Sequence, residues 1–257
     1  MFGLRTKTQP TVQPARTVTL VKDPNGTPAV NLTKVRDAGH VDLAKRADKA
    51  GLSLSKRGLA GIRAQVVLVL DHSGSMYGDY ANGKVQTLVE RALGFALQID
   101  VDGTVPVIPF DHRLLPTVEV TVDNYRNVVN DRIWRGRDMG STDLARALEH
   151  VRQCAAATET PVFCLVVTDG DPNSREATTR VVCDLARYPV FVKFLAVWDV
   201  PYLRMLDDLD GSARLLDNVD AKSFQDPAAV SDMVFADAMV DEWDTWVRAA
   251  TAAGVLR

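Results

Sequence analysis

The sequence predicts an α/β fold with a doubly wound, mostly parallel central sheet, Rossmann-like in type, flanked by helices on both faces. The first observation is a set of continuous apolar runs, of which Val66–Leu70 and Val162–Val167 are the clearest. Such runs are typical of strands that are buried on both faces. The second observation is that apolar residues between the runs, as in Val85–Leu97, recur at helical spacing. Strands that alternate with helices form a parallel sheet covered on both sides.

The chain before residue 63 predicts a β-rich extension. Residues 1–15 lack an apolar pattern, and we interpret them as a mobile tail. Residues 16–62 form the predicted extension, in which Thr17–Val21 and Ala29–Leu32 flank the turn-forming residues 23–26 as in a hairpin. A short helix over Val41–Ala50 and a short strand over Leu52–Leu54 complete it.

Residues 63–257 form the predicted main domain, whose first strand ends at Asp71. The elements that follow are a helix over Val85–Leu97, strands over Thr104–Phe110 and Val118–Val122, helices over Tyr125–Ile133 and Thr142–Ala156, a strand over Val162–Thr168, a helix over Arg175–Arg187, a strand over Val190–Val197, a helix over Tyr202–Leu209, a strand over Leu215–Val219 and one long amphipathic helix over Val230–Ala252. In that last helix, Met233, Val234, Ala238, Trp243 and Trp246 are the candidate packing residues.

Composition excludes several classes of protein. Hydrophobic residues make up 46% of the 257 residues, and the net charge of −3 gives no reason to expect a nucleic-acid partner. No window has the length of a membrane span, and the apolar start of the chain is too short for a signal peptide. The cysteines Cys154, Cys164 and Cys183 form no metal or redox motif and sit among apolar residues. We therefore expect buried, reduced thiols and a cytoplasmic location.

Oxygen-bearing side chains follow two of the predicted strands and precede one helix. Asp71, Ser73 and Ser75 follow the first apolar run, Thr142 opens a helix, and Asp169 follows the run that ends at Thr168. Ligands bind beyond the carboxyl ends of the strands in such sheets, so these loops are expected on one rim. Carboxylate and hydroxyl oxygens suit Mg²⁺, with Mn²⁺ or Ca²⁺ as alternatives.

These residues resemble the von Willebrand factor A (vWA) family. Its metal-ion-dependent adhesion site consists of D-x-S-x-S, a Thr and an Asp on three loops, matched here by Asp71, Ser73, Ser75, Thr142 and Asp169. The resemblance covers roughly residues 63–253 and implies the vWA fold, with the strand over Val118–Val122 antiparallel at an edge. It also implies that the metal recruits an Asp or Glu from a protein partner. Phrases such as VTLVK and LSLSKR before the domain resemble bacterial vWA proteins of tellurite-resistance and chemical-stress clusters.

Other interpretations of the same residues stay open. Asp71 and Asp169 could merely cap loops or helices. Asp71 could instead be the nucleophile of a metal-dependent phosphatase, although Ser73 stands where such enzymes usually carry a second Asp. His72 could belong to a partner-binding rim or be an ordinary exposed or strand-end residue, and Arg135, Arg137 and Asp138 could contact a partner or only solvent. We expect a metal-dependent adaptor without catalytic residues; the alternatives are the hydrolase and a structural module with a vestigial site.

Overall fold

A computed structural model describes residues 13–257 of the chain, and its centre is a six-stranded sheet in the order β3-β2-β1-β4-β5-β6. Neighbouring strands run parallel, except that β2 and β3 pair antiparallel at one edge, as expected. The strands are β1 (Gln65–Asp71), β2 (Val105–Phe110), β3 (Val118–Val120), β4 (Val162–Thr168), β5 (Val190–Ala196) and β6 (Val219–Ser223). The predicted α/β architecture is confirmed.

Helices cover both faces of this sheet, because alternate residues of each strand point to opposite sides. From β1, Val66, Leu68 and Leu70 join one apolar cluster, and Val67 and Val69 join the other. The α-helices are α1 (Leu32–Asp37), α2 (Val41–Lys56), α3 (Tyr77–Ala81), α4 (Lys84–Ile99), α5 (Leu144–Ala155), α6 (Arg175–Leu185), α7 (Pro201–Asp207), α8 (Asp232–Val240) and α9 (Trp243–Ala252). A 3₁₀ turn (Gly74–Met76) precedes α3, and a π-helical turn (Val129–Trp134) replaces the predicted helix over Tyr125–Ile133.

The extension before residue 63 is helical, so the prediction of a β-rich extension is wrong. The turn at residues 23–26 forms, since Gly26 N–H donates to the Asp23 carbonyl, but the flanking segments separate. Lys22 makes an isolated bridge with Ile62, and the predicted second hairpin strand leads into α1. The predicted strand over Leu52–Leu54 lies inside α2. The reason is spacing, because every buried apolar residue of α2 falls on one helical face that packs on α4 and α8: Leu43, Ala44, Ala47, Ala50 and Leu54.

The predicted mobile tail spans residues 1–15. Residues 1–12 lie outside the described part of the chain, so the prediction stays untested there. Residues 13–15 contact the domain: Ala15 N–H donates to the Arg187 carbonyl at 2.8 Å, and the Arg187 side chain donates to the Gln13 carbonyl at 3.0 Å.

The predicted long C-terminal helix is two helices, α8 and α9, because a buried lysine interrupts it. Lys193 Nζ donates to the carbonyl oxygens of Ala238 at 2.9 Å and Asp241 at 2.8 Å. These carbonyls close the end of α8, and Glu242 then adopts a left-handed φ of 61° before α9 begins. Lys193 itself forms a fully buried ion pair with Asp220 of β6.

Several smaller predictions about the chain also need correction. Trp243 and Trp246 are buried as predicted, whereas Val234 is 57% exposed. The last strand starts at Val219, where the prediction ended it.

The three cysteines are free thiols that differ in exposure. Cys164 is buried and Cys183 is half-buried, but Cys154 is exposed, so the prediction that it is buried is wrong. Within residues 13–257, no helix is both long and apolar enough to cross a membrane.

Candidate metal centre

The carboxyl ends of β1 and β4 lie side by side and carry the two predicted aspartates. The strands pair in parallel register from Gln65–Val162 to Leu70–Val167. Asp71 is therefore the last residue of β1, and Asp169 follows directly after the end of β4. This is the rim at which the sequence predicted a metal site.

Asp71 is fully buried, and protein donors occupy both of its carboxylate oxygens. Oδ1 accepts a hydrogen bond from the Ser73 backbone N–H at 2.8 Å, and Oδ2 accepts one from the Thr168 hydroxyl at 2.6 Å. The hydroxyl of Tyr80 donates to the Asp71 carbonyl oxygen at 2.9 Å. Asp71 therefore fixes the backbone that presents the serines.

The two serines and Asp169 form a continuous series of hydrogen bonds. Ser73 Oγ and Ser75 Oγ are 3.1 Å apart, and Ser75 Oγ donates to Asp169 Oδ1 at 2.9 Å. Ser73 is buried, whereas Ser75 is exposed, and Asp169 is half-buried. Three oxygen atoms of the kind that hard metal ions prefer as ligands thus converge at the end of the sheet, with one side open to solvent.

The Thr142 loop is attached to this group through its backbone. Gly74 N–H donates to the Gly140 carbonyl at 2.8 Å, which joins the serine loop to the residues just before Thr142. Thr142 is buried, its N–H donates to Asn173 Oδ1 at 3.1 Å, and its carbonyl accepts from Asn173 N–H at 2.7 Å. The loops at Asp71–Ser75, Thr142 and Asp169 therefore meet at one rim, although the hydrogen bonds that fix Thr142 run through its backbone.

The electrostatics of the group favour a cation. Burial raises the pKa of Asp71 to about 6, although the hydrogen bonds from Thr168 and Ser73 lower it. The negative charge of Asp169 adds to the rise. Burial also raises the pKa of Asp169, with a further contribution from the charge of Asp79. Buried carboxylates that repel one another in this way are stabilised in their charged form by a nearby cation. The oxygen atoms of this group and the negative charge of its two carboxylates therefore both fit a divalent metal ion.

The sequence does not predict a role for Thr168 or Tyr80 in holding this group together, and it predicts Asn173 only as a residue of the same rim that contacts a partner or forms a turn. Thr168 donates to Asp71, Tyr80 holds the backbone of Asp71, and Asn173 holds both backbone groups of Thr142. Thr168 carried a usable signal, since a hydroxyl at the last position of a buried strand needs a hydrogen-bond partner at the same rim. Tyr80 and Asn173 reach the site only through the folded loops, which spacing alone does not predict.

Residues predicted at the margin of the site have varied positions. His72 is fully buried and its pKa is lowered by burial, so it does not belong to an exposed rim. Asp171 and Ser174 follow Asp169, and the sequence predicts for them either a partner contact or a turn and helix cap. Asp171 forms an ion pair with Arg175, and Ser174 caps α6 by accepting from the Ala177 N–H. Arg135 is exposed on the loop that leads to Thr142.

A second acidic cluster lies away from this rim. Carboxylate oxygens of Asp207, Asp220 and Glu242 lie within 4.8 Å of one another. Lys193 and Lys222 both form ion pairs with Asp220, so the buried carboxylate of this cluster already has its counter-charges. We therefore assign it to the α8–α9 junction rather than to a metal.

The sheet order, the helices on both faces and the site at the β1–β4 rim together define a vWA domain protein. More narrowly, residues 63–256 match the model of the vWA domain found in the TerF C terminus, and the chain belongs to this TerF-like vWA family. Domains of this class commonly bind a divalent metal and mediate protein interactions.

Similar proteins are found among both sequences and structures. The chain is 30% identical to the Bacillus subtilis (strain 168) protein YcbR over 228 residues, which cover 84% of this chain and 90% of YcbR. It is also similar to proximal thread matrix protein 1 from the mussel byssus, with a TM-score of 0.51 and 16% identity, over 70% of this chain and 47% of the mussel chain. A second crystal form of the mussel protein gives a TM-score of 0.50 at 17% identity, with the same shares of the two chains covered. The chain thus spans about half the length of the mussel protein, and this likeness shows the fold alone.

Proposed function

We propose that this chain is a metal-dependent adaptor that binds another protein through a divalent cation, with Mg²⁺ favoured over Mn²⁺ and Ca²⁺. The cation is held at the rim by Asp71, Ser73, Ser75, Thr142 and Asp169. The observation that carries the proposal is the hydrogen-bonded series Ser73–Ser75–Asp169, in which oxygens from two loops converge. Mg²⁺ prefers oxygen ligands and readily retains water, which suits a site that is open on one side.

The donor set explains how such a site would bind a partner. The hydroxyls of Ser73, Ser75 and Thr142 are neutral, so they leave much of the charge of a bound cation uncompensated. Asp71 uses both oxygens to hold Ser73 and Thr168, and it acts on the metal through the loop or through water. A cation with residual charge and a solvent-facing position attracts an anionic oxygen. The partner therefore supplies the carboxylate of an Asp or Glu.

The position of Asp71 also supports an adaptor over a hydrolase. A phosphatase-like mechanism needs a carboxylate that can reach a substrate as nucleophile. Asp71 is fully buried and fixed by two donors, which supports a positioning role. We propose that the chain is not an enzyme. Turnover of an aryl phosphate that disappears in Asp71→Asn would contradict this proposal.

The process that the adaptor serves is a bacterial tellurite or chemical-stress response. Support comes from the TerF-like family membership and from the short phrases that precede the domain. We expect a deletion strain to be sensitive to tellurite, and we expect resistance to be restored by the natural gene but not by a Ser73→Ala, Ser75→Ala gene. If both genes restored resistance equally, the metal site would not be needed for the tellurite response.

Calorimetric titration with Mg²⁺ and Mn²⁺ tests the metal site directly. We expect one site per chain, lost in the double variant Ser73→Ala, Ser75→Ala and weakened in Thr142→Ala. The matched control is Ser55→Ala with Ser212→Ala, since both serines are exposed and lie outside the site. Unchanged binding in the Ser73, Ser75 variant would refute the assignment, and no binding in the natural protein would favour the vestigial structural module.

A further inference from the structure

Two exposed aromatic side chains flank the candidate metal centre. Tyr77 is 61% exposed and follows the 3₁₀ turn that contains Ser75, and Trp198 is 50% exposed and lies just beyond the end of β5. The other large apolar side chains that are exposed in residues 13–257 belong to Val, Leu or Met. An aromatic ring left in water at such a position favours contact with another protein.

Both aromatic side chains pack against neighbouring side chains, Trp134 for Tyr77 and Lys84 for Trp198. The Tyr77 ring packs edge-on against Trp134 at 5.6 Å, and Trp134 stacks at 5.8 Å on Tyr80, which holds Asp71. Lys84 Nζ lies 4.7 Å from the centre of the Trp198 ring. Side chains that are already ordered lose little conformational entropy on binding, so they are suited to anchor a partner.

The same Lys84 links Trp198 back to the metal rim. Its ammonium group forms an ion pair with the buried Asp79 of α3 at 2.9 Å, and the Val197 N–H beside Trp198 donates to the Thr168 carbonyl beside Asp169 at 3.1 Å. Tyr77 and Trp198 are thus connected to the two loops that carry Ser75 and Asp169. A partner that reaches the metal would pass beside both rings.

Unpaired arginines lie on the chain that leads to the Thr142 loop. Arg132 and Arg135 are exposed, and Arg137 is half-buried and donates to the Arg132 carbonyl at 3.1 Å. Within the part of the chain that the structure describes, none of the three forms an ion pair, whereas Arg113 pairs with Asp111 close by. Guanidinium groups that lack an internal carboxylate are free to bind one from a partner.

We propose that the partner presents an acidic peptide segment that also carries a large apolar side chain. One carboxylate binds the metal, a second acidic residue pairs with Arg135 and its neighbours, and the apolar side chain packs on Tyr77 and Trp198. The first contact rests on the proposed function. The other two contacts come from exposed rings and unpaired arginines, and they do not depend on the metal.

Selection of random 12-residue peptides displayed on phage, against the full chain in Mg²⁺, tests this inference. We expect the enriched peptides to combine two or more acidic residues with a Trp, Phe, Leu or Ile. Synthetic copies of the enriched peptides should bind Tyr77→Ser, Trp198→Ser and Arg135→Ser roughly tenfold more weakly than the natural protein, as for anchor residues of interfaces. The matched control is Val101→Ser, because Val101 is 62% exposed beside Asp100, which holds the opposite end of β1.

The outcomes separate this inference from the proposed function. Peptides that need Mg²⁺ but bind all three variants as tightly as they bind the natural protein would overturn the inference. That result would leave the proposal of a metal-dependent adaptor intact. Peptides with the expected composition that weaken in the variants but bind equally in EDTA would support the inference and contradict the metal bridge. Enrichment of peptides without acidic residues, or no enrichment, would overturn the inference. Unchanged thermal unfolding of each variant shows that a loss of binding is not a loss of fold.

Discussion

The hydroxyl of Ser75 donates a hydrogen bond to Asp169 Oδ1 across 2.9 Å, although 94 residues separate them in the chain. The contact exists because β1 and β4 are parallel neighbours whose carboxyl ends meet at one rim. It joins the serine loop directly to the second aspartate.

Replacing Asp169 tests the charge that this contact contributes. Asp169→Asn removes a negative charge while keeping a similar shape, so we expect Mg²⁺ affinity to fall by at least roughly tenfold. Asp171→Asn is the matched control, because Asp171 is two positions away, exposed, and paired with Arg175. Calorimetric titration measures both variants. An equal loss of affinity in the two would mean that general surface charge, rather than the site, binds the ion.

Removal of divalent ions should lower the stability of the folded protein. A ligand that binds only the folded state stabilises it by about 2.7 kcal/mol when its concentration is 100 times Kd. Urea unfolding in saturating Mg²⁺ and in EDTA measures this difference. The Ser73→Ala, Ser75→Ala variant should show no difference between the two conditions, and a difference that persists there would place the ion elsewhere.

Loss of Lys193 should destabilise the fold strongly. The ion pair of Lys193 with Asp220 is fully buried, and Lys193 also holds two carbonyls at the end of α8. Lys193→Met leaves the Asp220 charge without this partner, which costs about 3–5 kcal/mol of unfolding free energy.

Two comparisons separate this effect from a general loss of charge. Combining Lys193→Met with Asp220→Leu should recover much of the stability, because apolar pairs often replace buried ion pairs at little cost. Arg180→Met removes an exposed pair with Glu176 and should change stability by less than about 1 kcal/mol. Urea unfolding of the three variants gives the values; a Lys193→Met loss no larger than that of Arg180→Met would contradict the assigned role.

Native thiol labelling should distinguish the three cysteines. Cys154 is exposed, Cys183 is half-buried and Cys164 is buried, so we expect fast, slower and no labelling before unfolding, respectively. Cys154→Ser should remove only the fast phase. A fast phase that survives this substitution would show that Cys164 or Cys183 is more accessible than the fold implies.

Stability at alkaline pH should depend on Cys164. Burial raises the pKa of its thiol from 9.0 to about 12, so the unfolded chain loses this proton at a lower pH than the folded protein does. The contribution to stability is therefore full below about pH 9 and declines as the pH rises toward 12. At pH 10.5 the decline amounts to roughly 2 kcal/mol. Urea unfolding at pH 8 and 10.5 should show this decline in the natural protein and less of it in Cys164→Ala; equal declines would assign the effect to other groups.

The strands and the positions of the candidate ligands could be predicted from the sequence. β4 begins with its apolar run and ends at Thr168, one residue beyond it, as predicted, because a strand that is buried on both faces is apolar along nearly its whole length. Asp71 and Asp169 stand at the ends of such runs, and parallel topology brings those ends together. Local pattern and one rule of topology are sufficient there.

Tertiary packing decided the elements that local pattern described wrongly. The helix predicted over Val41–Ala50 continues to Lys56 in place of the strand predicted over Leu52–Leu54, because α4 and α8 cover the apolar face of α2. The helix predicted over Val230–Ala252 is broken because Lys193 of β5 donates hydrogen bonds to the carbonyl oxygens at the end of α8. The contacts of Thr168, Tyr80 and Asn173 at the candidate site likewise join separate loops. A sequence determines the periodicity of its own segments, whereas the partner of a buried polar group lies on another segment and is fixed only when the chain has folded.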